Sequence, residues 1–288
     1  MSKNIKLAKH SGFCYGVKRA VETVKKLKAE NPQKNIFVLG ELIHNSQVIK
    51  ELEDLGIQTI TELPEQGSGI CVIRSHGASP EIFEQITAAG FELVDLTCPD
   101  VKKVQQKAIQ LVKEGYFLII VGKAEHPEVI AIKASAERYG SNIFVVSDVL
   151  QLKEVEQRIK EHKKVGVVVQ TTQRISTLNS IVERLTTISK ELTIANTICA
   201  STTLRQNEAK ELARESDLMI VVGSKKSANT THLAEILIGI SETIHIEDDK
   251  ELENYKDIIN DAYNIAITAG ASTPETIIEN VINKLKGG

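Results

Sequence analysis

The chain repeats itself at an offset of 101 residues, and the positions that recur are ones able to do chemistry. Advancing Cys98, Gly122 and Thr171 by 101 gives Cys199, Gly223 and Ser272. Both cysteines follow a β-rich run (ELVDLT, ELTIANTI) and precede a charged amphipathic stretch, and both glycines close an apolar run (YFLIIVG, DLMIVVG). Thr171 in VVVQTTQ and Ser272 in AITAGASTPE each lie just past a further apolar run. An older copy stands upstream, with Cys14 in SGFCYGVKRAVE, Gly40 closing NIFVLG and His76 closing ICVIRSHGAS. Its cysteine-to-glycine spacing is 26 (14 to 40), against 24 in the later copies (98 to 122, 199 to 223). Such a repeat constrains architecture ahead of any local propensity, because each copy must fold alike. Three similar α/β modules are expected, over 1–98, 99–198 and 199–288, each supplying one cysteine and two polar loops.

Within the modules, apolar runs of strand length alternate with helix-period segments, the pattern of a parallel sheet with covering helices. Strand candidates fall at 35–40, 70–75, 92–97, 116–122, 142–148, 164–170, 191–196, 217–223, 242–248 and 263–270. Helices are expected after each cysteine, and Pro80, Pro99, Pro127 and Pro274 stand where a first-turn proline is tolerated. Lys and Arg total 35 against 38 Asp and Glu, a net charge of −3 that argues for no nucleic-acid or membrane-surface partner. No apolar run approaches the ~18 residues of a membrane span, so a cytoplasmic chain is expected. In a reducing compartment its four cysteines are not disulfides, and no C-x-x-C pair suggests a zinc ribbon.

Counting from each repeat glycine, position four gives His44, His126 and Ser227, and position six gives Ser46, Glu128 and Asn229. The second loops give His76, Thr171 and Ser272. All lie at strand-to-helix junctions, where open α/β sheets bind ligands. Thiolates at helix N-termini are stabilised there, and Cys14, Cys98 and Cys199 together could hold zinc or three irons of a [4Fe–4S] cluster. The surrounding imidazole, hydroxyl and amide donors suit a phosphate-like anion, and Glu128, the one carboxylate among the matched loop positions, is the acid/base candidate. Cys71 inside a strand, and His10, His162, His232 and His245 outside the repeat, read as structural. Thr171, Thr172, Ser272 and Thr273 would serve equally as helix caps if taken singly. Ser224, Lys225 and Lys226 lack P-loop spacing and read as a solvated turn.

The ordered segments FCYGVKRAVE, GELIHN, SHGASP, DLTCPDV, VGKAEHPEV, QTTQ, TICASTTLRQ, VVGSKKSANT and TAGASTPE closely resemble the LytB family of 4-hydroxy-3-methylbut-2-enyl diphosphate reductases. The resemblance spans essentially the whole chain. It implies a three-lobed, pseudo-threefold arrangement around a central [4Fe–4S] cluster held by Cys14, Cys98 and Cys199. It implies a substrate diphosphate held by His44, His76, His126, Ser227, Asn229 and Ser272, proton delivery by Glu128, and ordering of the substrate hydroxyl by Thr171. The expected reaction is a reductive dehydroxylation giving isopentenyl and dimethylallyl diphosphates. Electrons should come from a separate ferredoxin or flavodoxin, since no G-x-G-x-x-G fingerprint is present, and the chain is expected to be monomeric. One departure stands out: Ala228 occupies the second of two positions where the family commonly has adjacent serines. The competing readings are an iron–sulfur dehydratase without net reduction and a zinc-stabilised anion-binding protein.

Overall fold

A computed structural model describes residues 3–287. Its elements in chain order are β1 (Asn4–Leu7), α1 (Tyr15–Glu30), β2 (Ile36–Leu39), α2 (Ser46–Asp54), β3 (Ile57–Ile60), β4 (Ile70–Ile73), α3 (Pro80–Ala88) and β5 (Glu92–Asp95). There follow α4 (Pro99–Lys113), β6 (Phe117–Val121), α5 (Pro127–Glu137), β7 (Ile143–Val146), α6 (Val149–Glu161), β8 (Lys164–Val169), α7 (Ile175–Thr186) and β9 (Glu191–Ile194). The last stretch holds α8 (Ala200–Arg214), β10 (Leu218–Val222), α9 (Ala228–Ile238), β11 (Glu242–Ile246), α10 (Lys256–Asp261), β12 (Asn264–Ala269) and α11 (Glu275–Gly287).

The strands form three four-stranded parallel sheets with one shared order: β3-β2-β4-β5, β7-β6-β8-β9 and β11-β10-β12-β1. The α/β expectation of three like modules is met, with one crossing of the chain. The third sheet is completed by β1, which pairs with β12 from Asn4↔Asn264 to Leu7↔Ile267. NIKL is short, polar and mostly exposed, so it carries no burial signal, and neither it nor β3 (IQTI) stands out in the sequence. Once β1 is placed, each cysteine follows the fourth strand of a sheet: Cys14 after β1, Cys98 after β5, Cys199 after β9.

Two compact units result among the described residues: 3–19, 43–51 and 200–287 in one, 20–42 and 52–199 in the other. Central strands such as β6, β8, β10 and β12 are buried along nearly their whole length, as parallel strands covered on both faces must be. Period-two alternation sends Phe117, Ile119 and Val121 into a core with Leu152, Leu178 and Ile181, and Leu118 and Ile120 into another with Val104, Leu111 and Val129. Each fully buried side chain of this size contributes roughly 1.5–3 kcal/mol. Pro80, Pro99 and Pro127 are first residues of their helices, and Pro274 directly precedes α11.

Candidate active site

In the first two sheets the chain leaves the first strand toward one edge, then returns to the neighbouring third strand and leaves toward the other; in the third sheet β1, from the start of the chain, takes that last place. Loops after β2 and β4, β6 and β8, and β10 and β12 therefore flank topological switch points, where ligands bind in open α/β sheets. The repeat glycine opens the first loop. A Cβ there would meet Arg74 Nη1 at 2.8 Å from Gly40, Gln170 Oε1 at 2.8 Å from Gly122, and Thr273 Oγ1 at 2.3 Å from Gly223. At Gly122 and Gly223 a side chain would crowd the second loop, and at Gly40, where Arg74 could swing aside, the backbone φ of +72° favours glycine.

Strand register corrects two of the repeat equivalences. Leu39↔Ile73, Val121↔Val169 and Val222↔Ala269 are paired alike, which aligns Ser75 with Thr171 and Ala271, and His76 with Thr172 and Ser272. Matching i→i+3 turns, Gly77 N–H to Arg74 O, Gln173 to Gln170 and Thr273 to Gly270, agree. The offset is thus 101 at Gly122 and 100 two strands later, at the end of β8, so Thr171 and Ser272 occupy adjacent positions and not the same one. In the first module the loop is a residue longer: the cap of α2 is Asn45, whose Oδ1 accepts from Gln47 and Val48 N–H at 3.1 Å each. Ser46, exposed at the head of α2, is then offset from Glu128 and Asn229, the second residues of α5 and α9.

In the unit built on the first two sheets, Glu128 is 1% exposed. Its Oε1 accepts from the Thr171 N–H at 2.7 Å and its Oε2 from the Thr171 hydroxyl at 2.8 Å. Burial pushes the carboxyl up to about 7, against the pull of those two hydrogen bonds. His126 caps α5 through Nδ1, which accepts from Glu128 N–H at 3.1 Å, so the neutral ring keeps its proton on Nε2. The His126 ring meets His76 edge to face, centroids 5.4 Å apart. Gln170, which the sequence pattern passes over, ties the two loops: its Oε1 accepts from Lys123 N–H at 3.1 Å and its Nε2 donates to Thr172 Oγ1 at 3.1 Å.

In the other unit, Ser272 Oγ donates to His44 O at 3.2 Å, bringing first-module and third-module loops together. Ser227 stands at the N-cap position of α9 without a side-chain capping bond and is buried, with Ala228 and Asn229 following. Asn229 Oδ1 accepts from Thr202 Oγ1 at 3.4 Å, whereas its Nδ2 is buried with no partner. A buried donor without an acceptor costs roughly 1–3 kcal/mol, which a bound anion would relieve.

The three repeat cysteines share one tether. Cys98 N–H donates to Ser75 O (2.9 Å), Cys199 to Thr171 O (3.0 Å) and Cys14 to Ala271 O (3.2 Å), the three aligned second-loop positions. All three side chains are partly exposed, and Val17 N–H points to Cys14 Sγ at 3.5 Å. Cys71 is sealed in β4, its thiol pushed up to about 11 by burial. Among the other residues set aside, His232 is buried in α9, His162 packs its ring on Phe117, and His245 Nε2 bonds Gly223 O at 2.8 Å. Lys225 pairs with Glu251 at 2.8 Å at an exposed turn.

A family profile described as LytB protein matches residues 5–286. A 4-hydroxy-3-methylbut-2-enyl diphosphate reductase of Geobacter sulfurreducens is 41% identical over 283 residues, covering 98% of this chain and 96% of that one. Two solved structures are similar. One, described as (E)-4-hydroxy-3-methyl-but-2-enyl diphosphate reductase, the terminal enzyme of the non-mevalonate pathway, has TM-score 0.73 and 37% identity, covering 99% of this chain and 100% of that one. The other, an E-1-hydroxy-2-methyl-but-2-enyl-4-diphosphate reductase from Plasmodium falciparum, has TM-score 0.90 and 30% identity, covering 98% and 88%. With the family profile spanning nearly every residue and the same three-sheet architecture beneath it, the chain belongs to the LytB protein family.

Proposed function

We propose that the chain catalyses the reductive dehydroxylation of 4-hydroxy-3-methylbut-2-enyl diphosphate to isopentenyl and dimethylallyl diphosphates, with Cys14, Cys98 and Cys199 holding a [4Fe–4S] cluster. Two electrons and two protons enter and one water leaves. The observation that carries the reading is Glu128: a fully buried carboxyl titrating at about 7 and gripped twice by Thr171, which suits a general acid at neutral pH.

The residues fit the cluster by donor chemistry. Three partly open thiols, each at a strand-to-helix junction with its own N–H pinned, contrast with the inert Cys71. When bound, the cluster supplies single electrons and one iron without a protein ligand. Asn229 presents Nδ2 to the diphosphate because Thr202 occupies its Oδ1, and His126 presents Nε2–H because its Nδ1 is engaged. His44, His76, Ser227 and Ser272 complete the donor set, which is neutral apart from any imidazolium and contains no Arg clamp. Ala228 removes one family hydroxyl contact, which leaves the N–H groups at the head of α9 to meet the anion there. Glu128 hands its proton toward the leaving hydroxyl, and Thr171 Oγ orders that path. Modules over 1–98, 99–198 and 199–288 each supply one sheet, with β1 from the start of the chain completing the third. The enzyme is a cytoplasmic monomer fed by ferredoxin or flavodoxin. Among the described residues no helix is long and apolar enough to cross a membrane.

Anaerobically prepared protein should be brown, take up electrons at the cluster, and consume two electrons per substrate while forming both diphosphate products. Pyrophosphate should compete and the phosphate-free alcohol bind poorly. Turnover without net reduction, or a colourless zinc protein, would overturn the reading.

A further inference from the structure

We infer that Arg205 is a positioning residue that holds the Cys14 segment in place and sets the potential of the cluster which that thiolate would help to carry. The inference rests on the proposed function for the cluster, and on geometry alone for the positioning.

Six residues beyond each repeat cysteine stand Ala20, Val104 and Arg205. The first two are wholly buried apolar side chains, the ordinary content of an inward-facing helix position. The third is a guanidinium only 3% exposed. Burying a permanent charge is costly unless it is hydrogen-bonded, so this substitution within the repeat calls for a compensating role. Two of its partners identify that role. Nη2 donates to Gly12 O at 2.9 Å, and Nη1 donates to Ala269 O.

Gly12 lies two residues before Cys14, and Ala269 ends β12, three residues before Ser272. Between them Cys14 N–H donates to Ala271 O at 3.2 Å. One side chain from α8 thus stitches the loop that presents a thiolate to the loop that presents an anion-binding hydroxyl. Gly12 adopts φ +75°, a left-handed turn that leaves its carbonyl free to meet the guanidinium.

The charge itself has a second effect. Two trans peptide steps of about 3.8 Å keep the Cα atoms of Gly12 and Cys14 within about 8 Å. The guanidinium rests on the carbonyl of Gly12, two residues from that thiolate, and a fixed cation buried against the same loop is little screened by salt. Cluster potentials respond to net charge, hydrogen bonding and exposure, and a nearby cation favours the reduced, more negative state. Arg205 therefore raises the potential.

The test uses the full chain with Arg205→Gln and Arg205→Lys. In metal-free protein, hydrogen exchange of amides 14–17 should quicken about tenfold or more in Arg205→Gln, with amides 100–104 at the Cys98 helix unchanged. In reconstituted protein, the midpoint potential should become more negative in Arg205→Gln, while Arg205→Lys retains it and still shows faster exchange at 14–17. Loss of cluster to a chelator should be several-fold faster in Arg205→Gln. Wild-type exchange at 14–17 in both variants would overturn the positioning role, and Arg205→Lys alone decides it should Arg205→Gln not fold. A wild-type potential in Arg205→Gln would overturn the electrostatic role. Failure of the unsubstituted chain to take up a cluster would count against the functional reading, and the exchange experiment would still judge Arg205.

Discussion

The second and third modules place the same backbone frame around opposite chemistry. At the second residue of the first-loop helix one carries Glu128 and the other Asn229, and at the aligned second-loop position one carries Thr171 and the other Ala271. In the second module the hydroxyl and N–H of Thr171 converge on a carboxyl that burial keeps near neutrality. In the third, Ala271 has no hydroxyl to offer; Thr202 engages the amide oxygen from another helix and leaves the amide nitrogen as a buried donor. On the proposed function, one switch point would serve as a proton source and the other as an anion receptor. The difference lies in two side chains per module, not in the sheet.

The sharpest way to break the comparison is at the cysteines, the feature all modules share. Cys14→Ser, Cys98→Ser and Cys199→Ser should each abolish or bleach the cluster as read by iron content and visible absorbance, whereas Cys71→Ser should leave it intact. Equal loss on replacing Cys71 would remove the distinction between tethered and sealed thiols.

The next largest effect is at Glu128. Glu128→Gln keeps the shape and can still accept from the Thr171 N–H, while its amide NH2 must donate to the Thr171 hydroxyl in place of accepting from it; the acidic proton is lost, so kcat should fall ~10²-fold or more with substrate still bound. In the native enzyme, turnover limited by this acid should decline as pH rises through about 7. Stability responds with a definite sign. The folded carboxyl binds its proton up to about 7 and the unfolded one only to 4.5, so folding loses free energy as pH climbs between these values and the full cost is present above about 7. At 1.36 kcal/mol per unit, Glu128→Gln should be more stable than the parent by up to about 3 kcal/mol near pH 8 and by little near pH 4, as measured by denaturant midpoints. A parallel stability offset at both pH values would mean that Glu128 is not held protonated.

Smaller effects are expected in the third module. Asn229→Ala should weaken pyrophosphate binding by roughly 1–3 kcal/mol, the worth of a hydrogen bond to a charged group, without moving the pH dependence of turnover. Calorimetry and a pH profile on the same variant would separate the two modules' roles. Smallest of all, Ala228→Ser restores the family hydroxyl and should tighten diphosphate binding by about 0.5–1.5 kcal/mol. Unchanged affinity would mean that the N–H groups of α9 already do the work of that side chain.

Much of this architecture is visible in the sequence because covered parallel strands are near-continuous apolar runs and glycine is irreplaceable where two loops touch. The repeat of cysteine, glycine and hydroxyl residues therefore reveals three modules, their junctions and the residues gathered there. Other features are decided only by tertiary structure. NIKL has no pattern of its own, yet it completes the third sheet because β12 offers an open edge. The one-residue slip that separates Thr171 from Ser272 is invisible to a constant offset and is set by hydrogen-bonded register. The extra residue before Asn45 shows itself only through the cap it makes. Glu128 and Thr171 stand 43 residues apart, and neither the contact nor the raised pKa exists until β6 and β8 lie side by side and exclude water. Arg205 is the clearest case. In the sequence it is one charge in a polar helix, and only packing against Gly12 and Ala269 buries it, because a guanidinium can be satisfied by main-chain carbonyls from segments that meet solely in the folded chain.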